Sequence, residues 1–348
     1  MHLVRQELKK IVKSKMVWIS CSIIILVQIT SILAENNEFR IECGGNIAAY
    51  NSYADAYNDT LVESLVSENV INEYDDNENL DGTTSLVKYG IETCFEREYY
   101  KALLRNRELN IKGRTIRYWN NKGINALVQT LFGIISGVAI LVGLIFAAFS
   151  LLFKDKENEM DRIIYSSYIG RKEIISAKAL AMLLYTMVWI TIYFWCISAV
   201  TIFIYGNIKS LKAPIYCVAC LSRTSYNMST MGFLTMGYAM FMVSGTFFAM
   251  CFLLVFTLAK NAAVAFGGSI ALIFITLIMP KNGRVAMRIS TWTPLYTYTH
   301  LLLDGGDGVP TVGEKLSGLY LEFAMLILSA VIVYILIKKL FWSGRIER

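Results

Sequence analysis

Charge is almost absent from the long apolar runs of this sequence, and that absence limits what the protein can do. Five runs contain no Asp, Glu, Lys or Arg: 16–34, 123–153, 179–208, 232–259 and 262–279. A sixth, 319–337, contains only Glu322, close to one end. Ion-coupled transporters and intramembrane enzymes need ionisable groups within the bilayer, each costing about 2.5–3.5 kcal/mol on insertion scales. Proton or sodium coupling through these runs is therefore not expected. The sequence also lacks HExxH and GxxxxGK[ST], so it offers neither a zinc-protease helix nor a phosphate loop for ATP. Histidine is confined to His2 and His300, which leaves the lone Cys217-x-x-Cys220 motif weak as a zinc or redox site. Four prolines, no internal repeat and no low-complexity tract exclude a solenoid, a collagen-like region or a long flexible linker.

What remains is strongly apolar. Of 348 residues, 55% are hydrophobic and 17% charged, and the mean hydropathy is +0.48. A helix of about 20 apolar residues crosses a hydrocarbon core of about 30 Å, so the expected class is an all-α polytopic membrane protein with six spans. The net charge of +6 carries no nucleic-acid signal, because the basic residues sit where membrane topology places them. Sixteen of the 33 Lys and Arg residues lie in the short segments 1–15, 154–178, 260 and 338–348. Both termini are expected on that side, the cytoplasm.

Residues 1–15 set Val4, Leu8, Ile11 and Val12 on one helical face, with Arg5, Lys9, Lys10 and Lys13 on another. Such a helix lies on an anionic leaflet. The run 16–34 has two readings, an uncleaved anchor and a signal peptide cut after SILA. Its length and the long basic region favour the anchor. Segment 35–122 is polar, with twelve acidic residues and one basic up to Val87, then nine basic and four acidic from Lys88. It reads as a small extracytoplasmic domain, where Cys43 and Cys94 could form a disulfide. Loops 209–231 and 280–318 fall on the same side. Lys260-Asn261 is so short a connection that the runs beside it form an antiparallel hairpin.

The largest charged island between apolar runs is 154–178, KDKENEMDRIIYSSYIGRKEIISAK. Met160, Ile163, Ile164, Ser167 and Tyr168 share one helical stripe, with Glu157, Glu159, Asp161 and Arg162 off it. Such a helix either rests on the membrane surface or seats in a groove on a partner. The island resembles the loop between the second and third spans of ABC-2 type permeases, the membrane subunits of ATP-binding-cassette exporters. The resemblance rests on the long run ending at Phe153, the acids Glu157 and Glu159, the apolar helix, and Gly170-Arg171 seven residues before Lys178. The basic first helix, the turn at Lys260 and Trp292-Thr-Pro294-Leu-Tyr are similar too. The chain departs from the pattern at Glu159 (glycine is usual), Tyr168 (proline is common) and Gly170 (serine is common).

The resemblance implies a six-helix, type V exporter-like permease fold in a bacterial cell membrane, without enzymatic activity or cofactor of its own. ATP and Mg would be bound by separate cytoplasmic ABC ATPase subunits. Met160, Ile163 and Ile164 would fill a groove on the ATPase, and the flanking acids Glu157 and Glu159 would pair with its rim. Tyr168 would close that helix, and Arg171 and Lys178 would anchor the third span at the headgroups. A second permease subunit, identical or related, and membrane lipid are the other expected partners, with no nucleic acid. The expected cargo is a peptide, an antimicrobial or another amphipathic molecule. The alternative is a sensor or assembly protein that signals through the same segment without transport.

Overall fold

The computed structural model describes residues 2–42, 122–157, 168–206, 209–215, 218, 228–278 and 316–342. Most of the expected outer domain, with Cys43 and Cys94, lies outside these residues. So do 158–167 of the expected coupling segment and 280–315 of the expected loop 280–318.

Among the described residues the regular structure is helical. In chain order it comprises α1 (His2–Val12), α2 (Lys15–Glu42), α3 (Lys122–Phe132), α4 (Ile134–Glu157), α5 (Tyr168–Tyr205), α6 (Thr230–Leu258), α7 (Ala262–Ile278) and α8 (Leu316–Trp342). A single 3-10 turn, Lys209–Lys212, follows α5. Five helices are long and apolar enough to cross a membrane, within α2, α4, α5, α6 and α8; α7 is apolar but has 17 residues. Large apolar side chains face outward on these helices, including Ile23 and Leu26 on α2, Phe274 on α7 and Ile332 and Ile335 on α8, each about half exposed or more. So large an apolar exterior requires a hydrocarbon surround.

Several boundaries differ from the sequence expectation: α2 runs on to Glu42, α4 to Glu157, and α8 spans Leu316–Trp342 where 319–337 is expected. Two further differences reshape the interior. The run 123–153 is not one helix, because the ladder breaks at Gly133 and separates α3 from α4. A Cβ at Gly133 would stand 2.6 Å from the Gln129 carbonyl oxygen, so this close turn of backbone admits only glycine without a shift. The third apolar helix starts at Tyr168, eleven residues before the uncharged run, and takes Lys178 into the bundle. Hydropathy measures only the apolar part of a helix, and α5 at 38 residues is longer than any bilayer requires.

The helices are held by distinct local signals. The Ser229 side chain accepts from the Gly232 amide at 3.2 Å and starts α6. Asn261 Oδ1 accepts from the Val264 amide at 2.9 Å and starts α7 after a turn of three residues. Two helices form the interior. Of the apolar spans, 67% of that in α4 and 56% of that in α6 is buried within the bundle, against 17% in α8. α6 packs on α4, α5, α7 and α8, while α5 packs on α1, α2, α3, α4 and α8.

Aromatic rings pin the centre at two levels. Phe132 of α3 meets Phe233 and Phe241 of α6 and Phe194 of α5 at ring distances of 5.4, 5.7 and 5.7 Å. At the far end, Phe149 and Phe153 of α4, Phe256 of α6 and Phe266 of α7 form the second group. Gly237 lets Phe132 lie against the α6 backbone; a Cβ there would be 2.3 Å from its Cε1.

Candidate functional site

Segment 154–178, the expected coupling segment, joins the bundle through the end of α4 and the start of α5. Glu157 is the last residue of α4, and Tyr168 and Arg171 lie in the first turn of α5. Glu159, Met160, Ile163 and Ile164 fall outside the described residues. What the structure does describe is the frame that holds both ends of the segment.

Lys178 ties this frame together. It is 4% exposed, and its Nζ donates to the Leu151 carbonyl at 2.8 Å. An ammonium taken out of water must find acceptors, and a helix carbonyl has a second lone pair to offer. The side chain therefore points into the α4–α5 contact, a partner that sequence reasoning, which assigned it headgroup anchoring, did not anticipate. That reasoning could not see α4, whose Leu151 is 27 residues away.

α1 braces the same frame. It packs against both α5 and α4, with Ile11 fully buried and Glu7 6% exposed. Lys10 pairs with Glu7 Oε1 at 2.7 Å, and Glu7 Oε2 is buried without a hydrogen-bond partner among the described residues. Trp18 Nε1 donates to the Val12 carbonyl at 2.6 Å across the corner between α1 and α2. The expected surface helix thus has a second role, as a wedge under the α4–α5 junction. Cys21, near the start of α2, lies 3.5 Å from the Tyr185 hydroxyl of α5, and Glu35, further along α2, interacts electrostatically with Tyr205 at the end of α5. The two helices run parallel, which places α1 toward the N-terminal end of α5.

A polar seam runs deeper between α2, α3, α4 and α5. The helix break leaves the Thr130 carbonyl free to accept from Gln28 Nε2 at 3.2 Å and from the Ser136 hydroxyl. Tyr193 in turn donates to Ser136 Oγ at 2.8 Å. Tyr185 donates to the Gly143 carbonyl at 3.5 Å. In hydrocarbon a broken helix is tolerated where neighbouring side chains satisfy the freed backbone groups, and the seam does that here. Sequence reading missed it. The one available signal was Gln28, the single amide in the run 16–34.

A bundle of long apolar helices with a polar seam inside defines an integral membrane protein. The family model described as ABC-2 family transporter protein matches residues 1–337. The chain belongs to that family, as a membrane-embedded permease of an ABC transporter that works with ABC ATPase subunits. No match emerged from the curated proteins or from the solved structures.

Proposed function

We propose that the chain exports a peptide, an antimicrobial or another amphipathic molecule, driven by separate cytoplasmic ATPase subunits. Both termini and residues 158–167 face the cytoplasm in this reading, and the polar segment between α2 and α3 faces outward. α7 supplies the sixth crossing, since its 17 residues rise about 26 Å, close to the thin end of bilayer cores. A second permease subunit completes the pathway. ATP and Mg stay on the ATPase, and this chain adds no catalytic group.

The observation that carries the reading is the braced α4–α5 junction. A bond from Lys178 to Leu151 and a basic helix wedged against both elements make the two ends of the coupling segment move together. A push on that segment is then passed into α5, which packs against α2, α3 and α8. Met160, Ile163 and Ile164 seat in the ATPase groove, Glu157 and Glu159 pair with its rim, and Tyr168 and Arg171 lead into α5.

Ile163→Asp in the purified transporter complex tests the reading in reconstituted vesicles. Membrane insertion should be unchanged and ATP hydrolysis retained, with cargo movement down at least about tenfold, the cost of burying one unpaired charge. Cargo movement equal to the unaltered complex would remove the segment as the coupling element.

A further inference from the structure

A groove of about 580 Å³ lies between α5, α6 and α8, within the size range of small-molecule sites. Leu183 and Met187, Met242 and Met250, and Val331 and Tyr334 line it, two from each helix. Met187 and Val331 are 49% and 47% exposed on the outer surface of the bundle, so the groove opens sideways into hydrocarbon. Its body is short of hydrogen-bonding partners. The Thr246 hydroxyl is turned to the Met242 carbonyl of its own helix at 2.8 Å. A peptide or sugar lying there would leave polar groups unpaired, whereas an alkyl chain loses nothing. Methionine, flexible and polarisable, adapts to a chain of variable shape.

One end of the groove is polar, and it is the end where α1 lies. The Tyr334 hydroxyl of α8 donates to Ser176 Oγ of α5 at 3.2 Å. Lys338 follows Tyr334 by one turn on the same face of α8, half-buried and without an ion pair among the described residues. Glu173 precedes Ser176 by one turn on α5 and is exposed. One turn beyond the polar end of the groove, a cation on α8 and a carboxylate on α5 therefore flank its mouth.

We propose that this groove holds one acyl chain of a phospholipid from the leaflet on which α1 lies, a lipid whose headgroup bears both a phosphate and a primary ammonium. The phosphate sits at Lys338 and the ammonium at Glu173. A headgroup with a phosphate alone satisfies only the first lip. A site of this kind fixes α5, α6 and α8 relative to one another through bound lipid.

The test is native mass spectrometry of the delipidated full chain titrated with phosphatidylethanolamine or phosphatidylglycerol, without the ATPase, so its outcome is separate from that of the coupling reading. One phosphatidylethanolamine should be retained per chain, preferred about fivefold over phosphatidylglycerol, as expected for one charge contact of about 1 kcal/mol at the membrane surface. Glu173→Gln should erase that preference and leave the fold intact, and Lys338→Gln should weaken both lipids. Ala330→Trp, which fills the groove wall, should lower retention about tenfold or more. Equal retention of both lipids by the unaltered chain, or no effect of Glu173→Gln, would overturn the proposal. A shift to dimers on lipid removal would assign the groove to a second copy of the chain and overturn it as well.

Discussion

Lys178 is the residue whose role depends most on its partner. Its ammonium sits 4% exposed against the Leu151 carbonyl, so Lys178→Met keeps the apolar stem and removes the donor together with its charge. The expected loss is about 1 kcal/mol, the scale of a hydrogen bond between membrane helices, and Lys178→Arg should recover part of it. Thermal unfolding in detergent measures both. Gly237 is constrained in the opposite way, by lack of space. A side chain there meets the Phe132 ring at 2.3 Å, so Gly237→Val should destabilise by about 1–3 kcal/mol through overpacking, read by the same unfolding assay. No sequence signal separated Gly237 from the other glycines. Its role is set by Phe132, which lies on another helix and more than a hundred residues earlier.

At the scale of elements, the break between α3 and α4 decides how the interior is arranged. Its carbonyl at Thr130 is served from α2 by Gln28 and from α4 by Ser136, and Ser136 is held by Tyr193 of α5. Four elements thus meet at one point. Ser136→Ala and Tyr193→Phe should each cost about 0.6–1.7 kcal/mol. The double variant should cost less than the sum, since both remove the same contact. Additive losses in a double-mutant cycle would show that the Tyr193 hydroxyl acts independently of Ser136. The charge-free length of the run 123–153 made it legible as membrane helix. It could not reveal the break, because a glycine in an apolar run looks the same whether or not the backbone turns there.

At the scale of the whole molecule, the described residues form a helical bundle whose α1 end carries Lys178, Lys338, the braced junction and the polar mouth of the groove. A truncated chain lacking residues 2–12 should lose the Ile11 contact and the wedge under α4 and α5. Its partner ATPase should still hydrolyse ATP, with weaker stimulation by cargo, measured with the assembled complex in vesicles. Stimulation equal to that of the full chain would limit α1 to membrane attachment.

The amino-acid sequence by itself determined the membrane class, the apolar helices and the family, because each rests on local composition: charge-free runs, basic flanks and an amphipathic segment between two of them. The tertiary structure alone decided where Lys178 points, how the Thr130 carbonyl is satisfied, why Gly237 has no side chain and that a groove separates α5, α6 and α8. Those features are contacts between residues far apart in the chain. Gln28 and Thr130 are 102 positions apart, and Ser176 and Tyr334 are 158. Hydropathy places a helix in the bilayer; only packing against its neighbours fixes its rotation and so chooses which side chains meet.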